Sequence, residues 1–255
     1  MEEKRIEEAL PEGLEVELMP KHVAVIMDGN RRWARERGMP PVHGHREAKR
    51  VVIELTSLSS KWGIKVLSLF AFSTENWSRA QEELEGLMGL FEEVVATFDE
   101  GDFERYNVRV TFIGDKSSRL PEPLLEKMKL AEERTKANKG LHLVIGLNYS
   151  GRYDIMQATR SIAGKAKDGI LRIEDINEKL IDDELLTNCT EFSTPDLLIR
   201  TSGEQRISNF MLWQLAYTEL YFPIKKFPDF EEQDYVEALI SFQKRDRRFG
   251  GKKYT

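Results

Sequence analysis

Six short apolar runs punctuate the chain, and polar, helix-spaced stretches separate them. His22–Met27 (HVAVIM) and Val66–Phe72 (VLSLFAF) are almost continuously apolar, as expected of strands buried on both faces. Val108–Ile113, Leu141–Leu147 and Asp196–Arg200 predict three further strands, and Glu219–Phe222 a short last one. Between them, helical spacing covers 45–62, 80–100, 121–138, 152–167, 173–186 and about 230–246, with an amphipathic stretch near 208–216. Asp28-Gly29-Asn30 reads as a turn. Arg31–Gly38 reads as a short helix ending at glycine, and Gly44-His45 as a second turn ahead of a helix. Alternating strands and helices of this kind predict an α/β fold whose mostly parallel sheet is covered on both faces. Nothing resembles a repeat or a Gly/Ser linker. Residues 1–20 are therefore read as an N-terminal arm and 21–255 as a single domain.

Composition narrows the function classes. The formal charge of -6 gives no field that would attract nucleic acid, so any anion site must be assembled locally. One cysteine, Cys189, rules out an intrachain disulfide and fits a reducing compartment. The apolar runs fall far short of the ~20 residues of a membrane span. The opening Met-Glu-Glu-Lys-Arg lacks a secretory apolar core and is too acidic for a transit peptide. A plastid location is expected if a transit peptide has been removed from a longer precursor, and a cytoplasmic one otherwise.

In parallel α/β sheets, ligands bind beyond the carboxyl ends of the strands. Four polar clusters sit there: Asp28–Arg32, Ser73–Arg79, Asn148–Arg152 and Thr201–Ser208. In the first, Gly29 allows close backbone approach, and the following helix start with Arg31 and Arg32 suits phosphate. Asp28 there either holds a divalent cation bridging to phosphate or caps the helix. The second cluster places hydroxyls, Asn76, Trp77 and Arg79 within eight residues. It is either a binding loop or an ordinary capped loop with Trp77 plugging the core. In the last, Arg200, Arg206 and Ser208 around Gly203 suit a diphosphate clamp. Glu219, opening an apolar strand, needs either an arginine or a metal as partner. No HExxH, paired CxxC, GxSxG, GxxxxGK[ST] or GxGxxG motif is present. The DDxxD signature of the all-helical trans-type prenyl synthases is also missing.

Taken in order, HVAVIMDGNRRWA, GH, LSLFAFSTENWSR, DLLIRTSGEQRISNFMLWQLAYTELYF, PDF and a terminal RDRRFGG resemble the cis-prenyltransferases of the undecaprenyl diphosphate synthase family, most of all its plant members. The resemblance runs from about residue 20 to residue 251. It implies a single domain with six mainly parallel strands flanked by helices, a homodimer and Mg²⁺ dependence. The implied substrates are isopentenyl diphosphate and dimethylallyl or longer allylic diphosphates. By matching positions, Asp28 would be catalytic and a metal ligand. Gly29, Asn30, Arg31, Arg32, Trp33 and His45 would hold the allylic diphosphate, with His45 among the catalytic groups. Ser73 and Asn76 would assist proton removal. Phe72, Thr74, Glu75, Trp77 and Arg79 would position isopentenyl diphosphate. Arg200, Arg206, Ile207 and Ser208 would clamp it, and Glu219 would complete the metal site. An apolar tunnel for the growing chain would be lined by Leu84, Leu87, Met88, Phe91, Leu143 and Ile145. Peripheral membrane contact is expected if the product is long.

Three departures from the family pattern stand out. Gly44-His45-Arg46-Glu47-Ala48 replaces Gly-His-x-Ala-Gly, Pro40-Pro41-Val42-His43 lacks the arginine of many bacterial members, and Gln205 replaces a histidine. The first is expected to put a charge and a methyl group beside the allylic site. This keeps open a second activity, the coupling of two dimethylallyl diphosphates to a branched C10 product. A non-catalytic partner subunit is disfavoured because Asp28-Gly29-Asn30 is intact. A generic phosphate-binding α/β protein follows only if the resemblance is set aside.

Overall fold

The first apolar run forms β1, His22–Ile26, and all five of its side chains are buried. The computed structural model describes residues 10–97, 107–117, 119–248 and 251. Its other strands are β2 (Val66–Ser73), β3 (Arg109–Ile113), β4 (His142–Tyr149), β5 (Leu197–Arg200) and β6 (Glu219–Tyr221). They form one sheet in the order β3-β4-β2-β1-β5-β6, and every neighbouring pair is parallel. The helices are α1 (Asn30–Glu36), α2 (Pro41–Lys61), α3 (Gln81–Thr97), α4 (Glu122–Thr135), α5 (Gly151–Lys167), α6 (Glu178–Glu184) and α7 (Glu232–Gln243).

Burial on both faces explains the unbroken apolar runs. Val23 and Val25 of β1 join a large core with Leu55, Leu87, Leu124 and Leu239 from four helices. Ala24 and Ile26 turn to the opposite face, against Phe210, Met211 and Leu215. The chain lays β2, β3 and β4 on one side of β1, then crosses to place β5 on the other. That reversal opens a crevice at the carboxyl end of β1, flanked by β2 and β5. Of the arm, residues 1–9 lie outside the described residues. Leu10 and Leu14 pack on the main core, and the Gln243 side chain bonds both backbone groups of Glu15. Cys189 has no disulfide partner, and burial pushes its thiol up to about 11, which keeps it protonated.

Two local expectations are corrected. Gly44-His45 is not a turn: α2 begins at Pro41, and both residues lie inside it. Pro41 suits a first helical position because it lacks an amide that would be unpaired there anyway. Gly44 is needed for another reason, since a Cβ at this position would lie 2.0 Å from the Asn30 carbonyl oxygen. The absence of a side chain lets α1 and α2 touch. Gly44→Ala is therefore expected to destabilise the fold by about 1–3 kcal/mol, read as a lower urea midpoint at unchanged slope. The amphipathic stretch 208–216 forms turns and no regular element. Ser208, Asn209 and Met211 all adopt positive φ, so the chain turns repeatedly under the sheet. The helix predicted over 173–186 is shortened to α6, where the Asn177 side chain caps the first turn.

His22 gives the fold a pH dependence. Its Nδ1 lies 2.7 Å from the Phe192 carbonyl, which can only accept, so Nδ1 carries the proton and Nε2 accepts from the Ser68 hydroxyl at 2.7 Å. Burial lowers its pKa from 6.5 to about 4. Between those values the unfolded chain binds a proton that the folded chain refuses, so stability falls as pH drops from 6.5 toward 4. The shift corresponds to a loss on the order of 3 kcal/mol. The stability gap between wild type and His22→Gln, measured by urea unfolding, is expected to narrow from pH 7 to pH 4.5.

Candidate active site

Asp28 follows β1 and stands at the centre of the crevice. Its backbone is fixed by Thr201, whose hydroxyl accepts from the Asp28 amide at 3.0 Å and donates to its carbonyl at 2.8 Å. The carboxylate accepts from the Gly29 amide at 2.6 Å, Arg200 at 2.8 Å and Arg32 at 3.3 Å. Gly29 occupies the position before α1 with φ 102°, and no side chain caps that helix. Asp28 is thus not a helix cap. Burial works to raise its pKa, but the Arg200 hydrogen bond and charge, with Gly29 and Arg32, outweigh this and hold it below the ordinary carboxylate range.

Arg200 ends β5 and is only 4% exposed. One terminal nitrogen donates to the Arg206 carbonyl at 2.5 Å and to the Ser208 hydroxyl at 2.6 Å, and the other holds Asp28. Carboxylates hold the other guanidiniums at the rim. Glu204 bridges Arg32 and Arg206. Glu83 lies 3.1 Å from Arg79 and 3.6 Å from Arg31. Ser73 and Asn76 lock each other, because the Ser73 amide donates to Asn76 Oδ1 at 3.1 Å and the Ser73 side chain accepts from the Asn76 amide. His45 is largely buried, and desolvation with the charges of Arg79 and Arg31 lowers its pKa to about 4, so it is neutral at pH 7. Asn30 Oδ1, His45 Nε2 and Arg200 Nε are buried without a partner. Each such group costs about 1–3 kcal/mol unless something else satisfies it.

These groups form the mouth of a cavity of about 790 Å³ that continues into an apolar interior between α2, α3 and the sheet. Of the sequence-predicted residues, Asp28, Gly29, Asn30, Arg31, Arg32, His45, Phe72, Ser73, Asn76, Arg79, Arg200 and Ser208 line it. Thr74, Glu75, Arg206 and Ile207 are not among the lining residues. Trp33 turns away, with its indole N–H donating to Asp229 at 2.6 Å and Arg37 over its ring. It tethers α1 to the loop before α7 instead of meeting a ligand at the cavity wall. Trp77 donates to Asn148 at 2.8 Å and packs edge-on against Phe72, which is the core-plug alternative. The Asn148–Arg152 cluster does not reach the cavity and braces its neighbours.

Glu219 is a further correction. It opens β6 opposite Leu197, three positions behind Arg200 and so about 10 Å back along the strand. Its carboxylate accepts from Arg245 at 2.9 Å. Within one chain it does not meet Asp28, and no group of three or more potential metal ligands exists among the described residues. Nor does Glu47 bring a charge to the cavity, since it pairs with Arg50 at 2.9 Å, and only the Ala48 methyl lines the wall. Of the expected tunnel residues, Leu87, Phe91 and Ile145 line the interior, whereas Leu84, Met88 and Leu143 serve the core. Ala48 lines the wall as expected, whereas Pro41, Lys49 and Val52 on α2 and Leu90, Val94 and Val95 on α3 were not anticipated. Their three- and four-residue spacing was the available signal.

Comparison with known proteins places this geometry. The family model described as putative undecaprenyl diphosphate synthase matches residues 26–250. Cis-prenyltransferase 7, chloroplastic, of Solanum lycopersicum is 58% identical over 245 residues, covering 96% of this chain and 83% of that protein. A chloroplastic (2Z,6Z)-farnesyl diphosphate synthase of the same species is 56% identical over 238 residues, covering 93% and 81%. The crystal structure of lavandulyl diphosphate synthase from Lavandula x intermedia, in complex with dimethylallyl diphosphate, superposes with a TM-score of 0.89 at 44% identity, covering 92% of this chain and 99% of that one. The parallel six-stranded sheet, the basic mouth on an apolar cavity and a match across nearly the whole sequence agree: this chain is a prenyltransferase and belongs to the undecaprenyl diphosphate synthase family.

Proposed function

We propose that the protein condenses an allylic isoprenoid diphosphate with isopentenyl diphosphate to a cis-prenyl diphosphate, releasing diphosphate, as a Mg²⁺-dependent homodimer. One observation carries the reading. A single cavity joins a mouth bearing Arg31, Arg32, Arg79 and Arg200 to an apolar interior, the shape of a molecule with a diphosphate head and a hydrocarbon tail. Arg32 and the turn at Gly29 suit the allylic diphosphate, and Arg200 with Ser208 suits the second. The unpartnered Asn30 Oδ1, His45 Nε2 and Arg200 Nε give bound substrates polar atoms to satisfy.

Asp28 is the single carboxylate among the lining residues. One carboxylate fits Mg²⁺, which is commonly held by one or two carboxylates together with substrate phosphates and water. When bound, the ion would neutralise charge on the departing diphosphate. The arginines at the mouth are already fixed by carboxylates or carbonyls, so they stabilise that charge without reorganising. The apolar walls exclude water from the allylic cation formed as the C–O bond breaks. The isopentenyl double bond attacks this carbon, and the proton lost from the new C–C unit passes by way of Ser73 and Asn76 to the released diphosphate.

Condensation with isopentenyl diphosphate is favoured over branched coupling because the departure after His45 adds only the Ala48 methyl to the wall. Relatives named chloroplastic support a plastid location. The test gives the purified protein dimethylallyl, geranyl, farnesyl or geranylgeranyl diphosphate, each with and without isopentenyl diphosphate. Products that require isopentenyl diphosphate are expected. A branched C10 diphosphate from dimethylallyl diphosphate alone refutes this reading in favour of irregular coupling.

A further inference from the structure

Asn209 lies outside the cavity wall, yet it joins two of the loops that build the site to the start of α5. It adopts a left-handed φ of 62°, one residue after Ser208. Its side-chain N–H donates to the Glu75 carboxylate at 2.6 Å. Its side-chain oxygen accepts from the Arg152 amide at 3.0 Å, and its carbonyl accepts from the Gly151 amide at 2.6 Å. The loop after β2, the start of α5 and the loop after β5 therefore meet on one residue. Glu75 is ionised there. Burial works to raise its pKa, but the Asn209 hydrogen bond together with the Ser73 and Thr74 hydroxyls holds it below its ordinary value.

We infer that Asn209 is a positioning residue that fixes the distance between the Ser73–Asn76 pair and the Arg200–Ser208 pair, and so aligns the second substrate's diphosphate with the groups that handle its proton. The inference rests on the function proposed above, under which those two pairs serve the same substrate. Only the amide of asparagine supplies a donor to Glu75 and an acceptor to α5 from one side chain while tolerating a left-handed backbone. Aspartate keeps the backbone and the acceptor but faces Glu75 with a second carboxylate.

The experiment compares wild type, Asn209→Asp and the double variant Asn209→Asp with Glu75→Gln, in which a glutamine amide can donate to the new carboxylate. Asn209→Asp is expected to raise KM for isopentenyl diphosphate about tenfold, with KM for the allylic diphosphate changing less than twofold. Amide hydrogen exchange across residues 73–79 should accelerate in the same variant. The double variant should restore exchange protection and bring KM to within about threefold of wild type. Unchanged exchange in Asn209→Asp, equal rises in both KM values, or no rescue in the double variant would overturn the inference. If wild type itself forms no product from the two diphosphates, the proposed function fails. The exchange and rescue measurements then still decide whether Asn209 sets this spacing.

Discussion

Replacing Asp28 by asparagine is expected to lower turnover by about 10²–10³-fold with a smaller loss of stability than alanine would cause. The choice of asparagine follows from the geometry. Asp28→Ala would leave Arg200, only 4% exposed, without its counter-ion. Stranding a buried guanidinium costs about 3–5 kcal/mol, so loss of activity would be confounded with loss of fold. Asparagine keeps one oxygen, which can still accept from Arg200, although its NH2 then replaces the oxygen that accepts from the Gly29 amide, while removing the charge that would hold a cation. Single-turnover kinetics across a Mg²⁺ titration, alongside urea unfolding, separate the two effects. Wild-type turnover in a folded Asp28→Asn would remove Asp28 from the metal role.

Arg200→Lys should raise KM for isopentenyl diphosphate by roughly 10- to 100-fold. The charge survives, but the planar fork that simultaneously grips Asp28, Ser208 and the Arg206 carbonyl does not. Losing one or two hydrogen bonds to a charged group, at about 1.5–3 kcal/mol, corresponds to that range. Steady-state kinetics with the allylic substrate held saturating would isolate the effect. Equal KM rises for both substrates would show that Arg200 serves Asp28 and the whole crevice more than one diphosphate.

Legibility in the sequence followed burial. Strands covered on both faces must be apolar throughout, so β1, β2, β4 and β5 stood out within one or two residues of their observed limits. The parallel arrangement and the crevice followed from their alternation with helices. The residues immediately after β1, β2 and β5 could then be placed at its mouth, and Asp28, Ser73, Asn76 and Arg200 meet there.

The direction of a side chain was another matter, because it depends on partners that are distant in sequence. Trp33 faces Asp229 and Trp77 faces Asn148, so neither indole lines the cavity. Glu219 is set by the register of β6 against β5 and by Arg245, and Glu47 is turned away by Arg50 on its own helix. Gly44 reads in the sequence as part of a turn, whereas it lies inside α2, where the Asn30 carbonyl leaves no room for a side chain. The order of apolar runs and the motifs that follow them determine the sheet and the location of its site. Which polar side chains enter that site is decided only when packing brings each one a counter-ion or a hydrogen-bond partner, since a charge or an indole N–H settles where its desolvation is best offset.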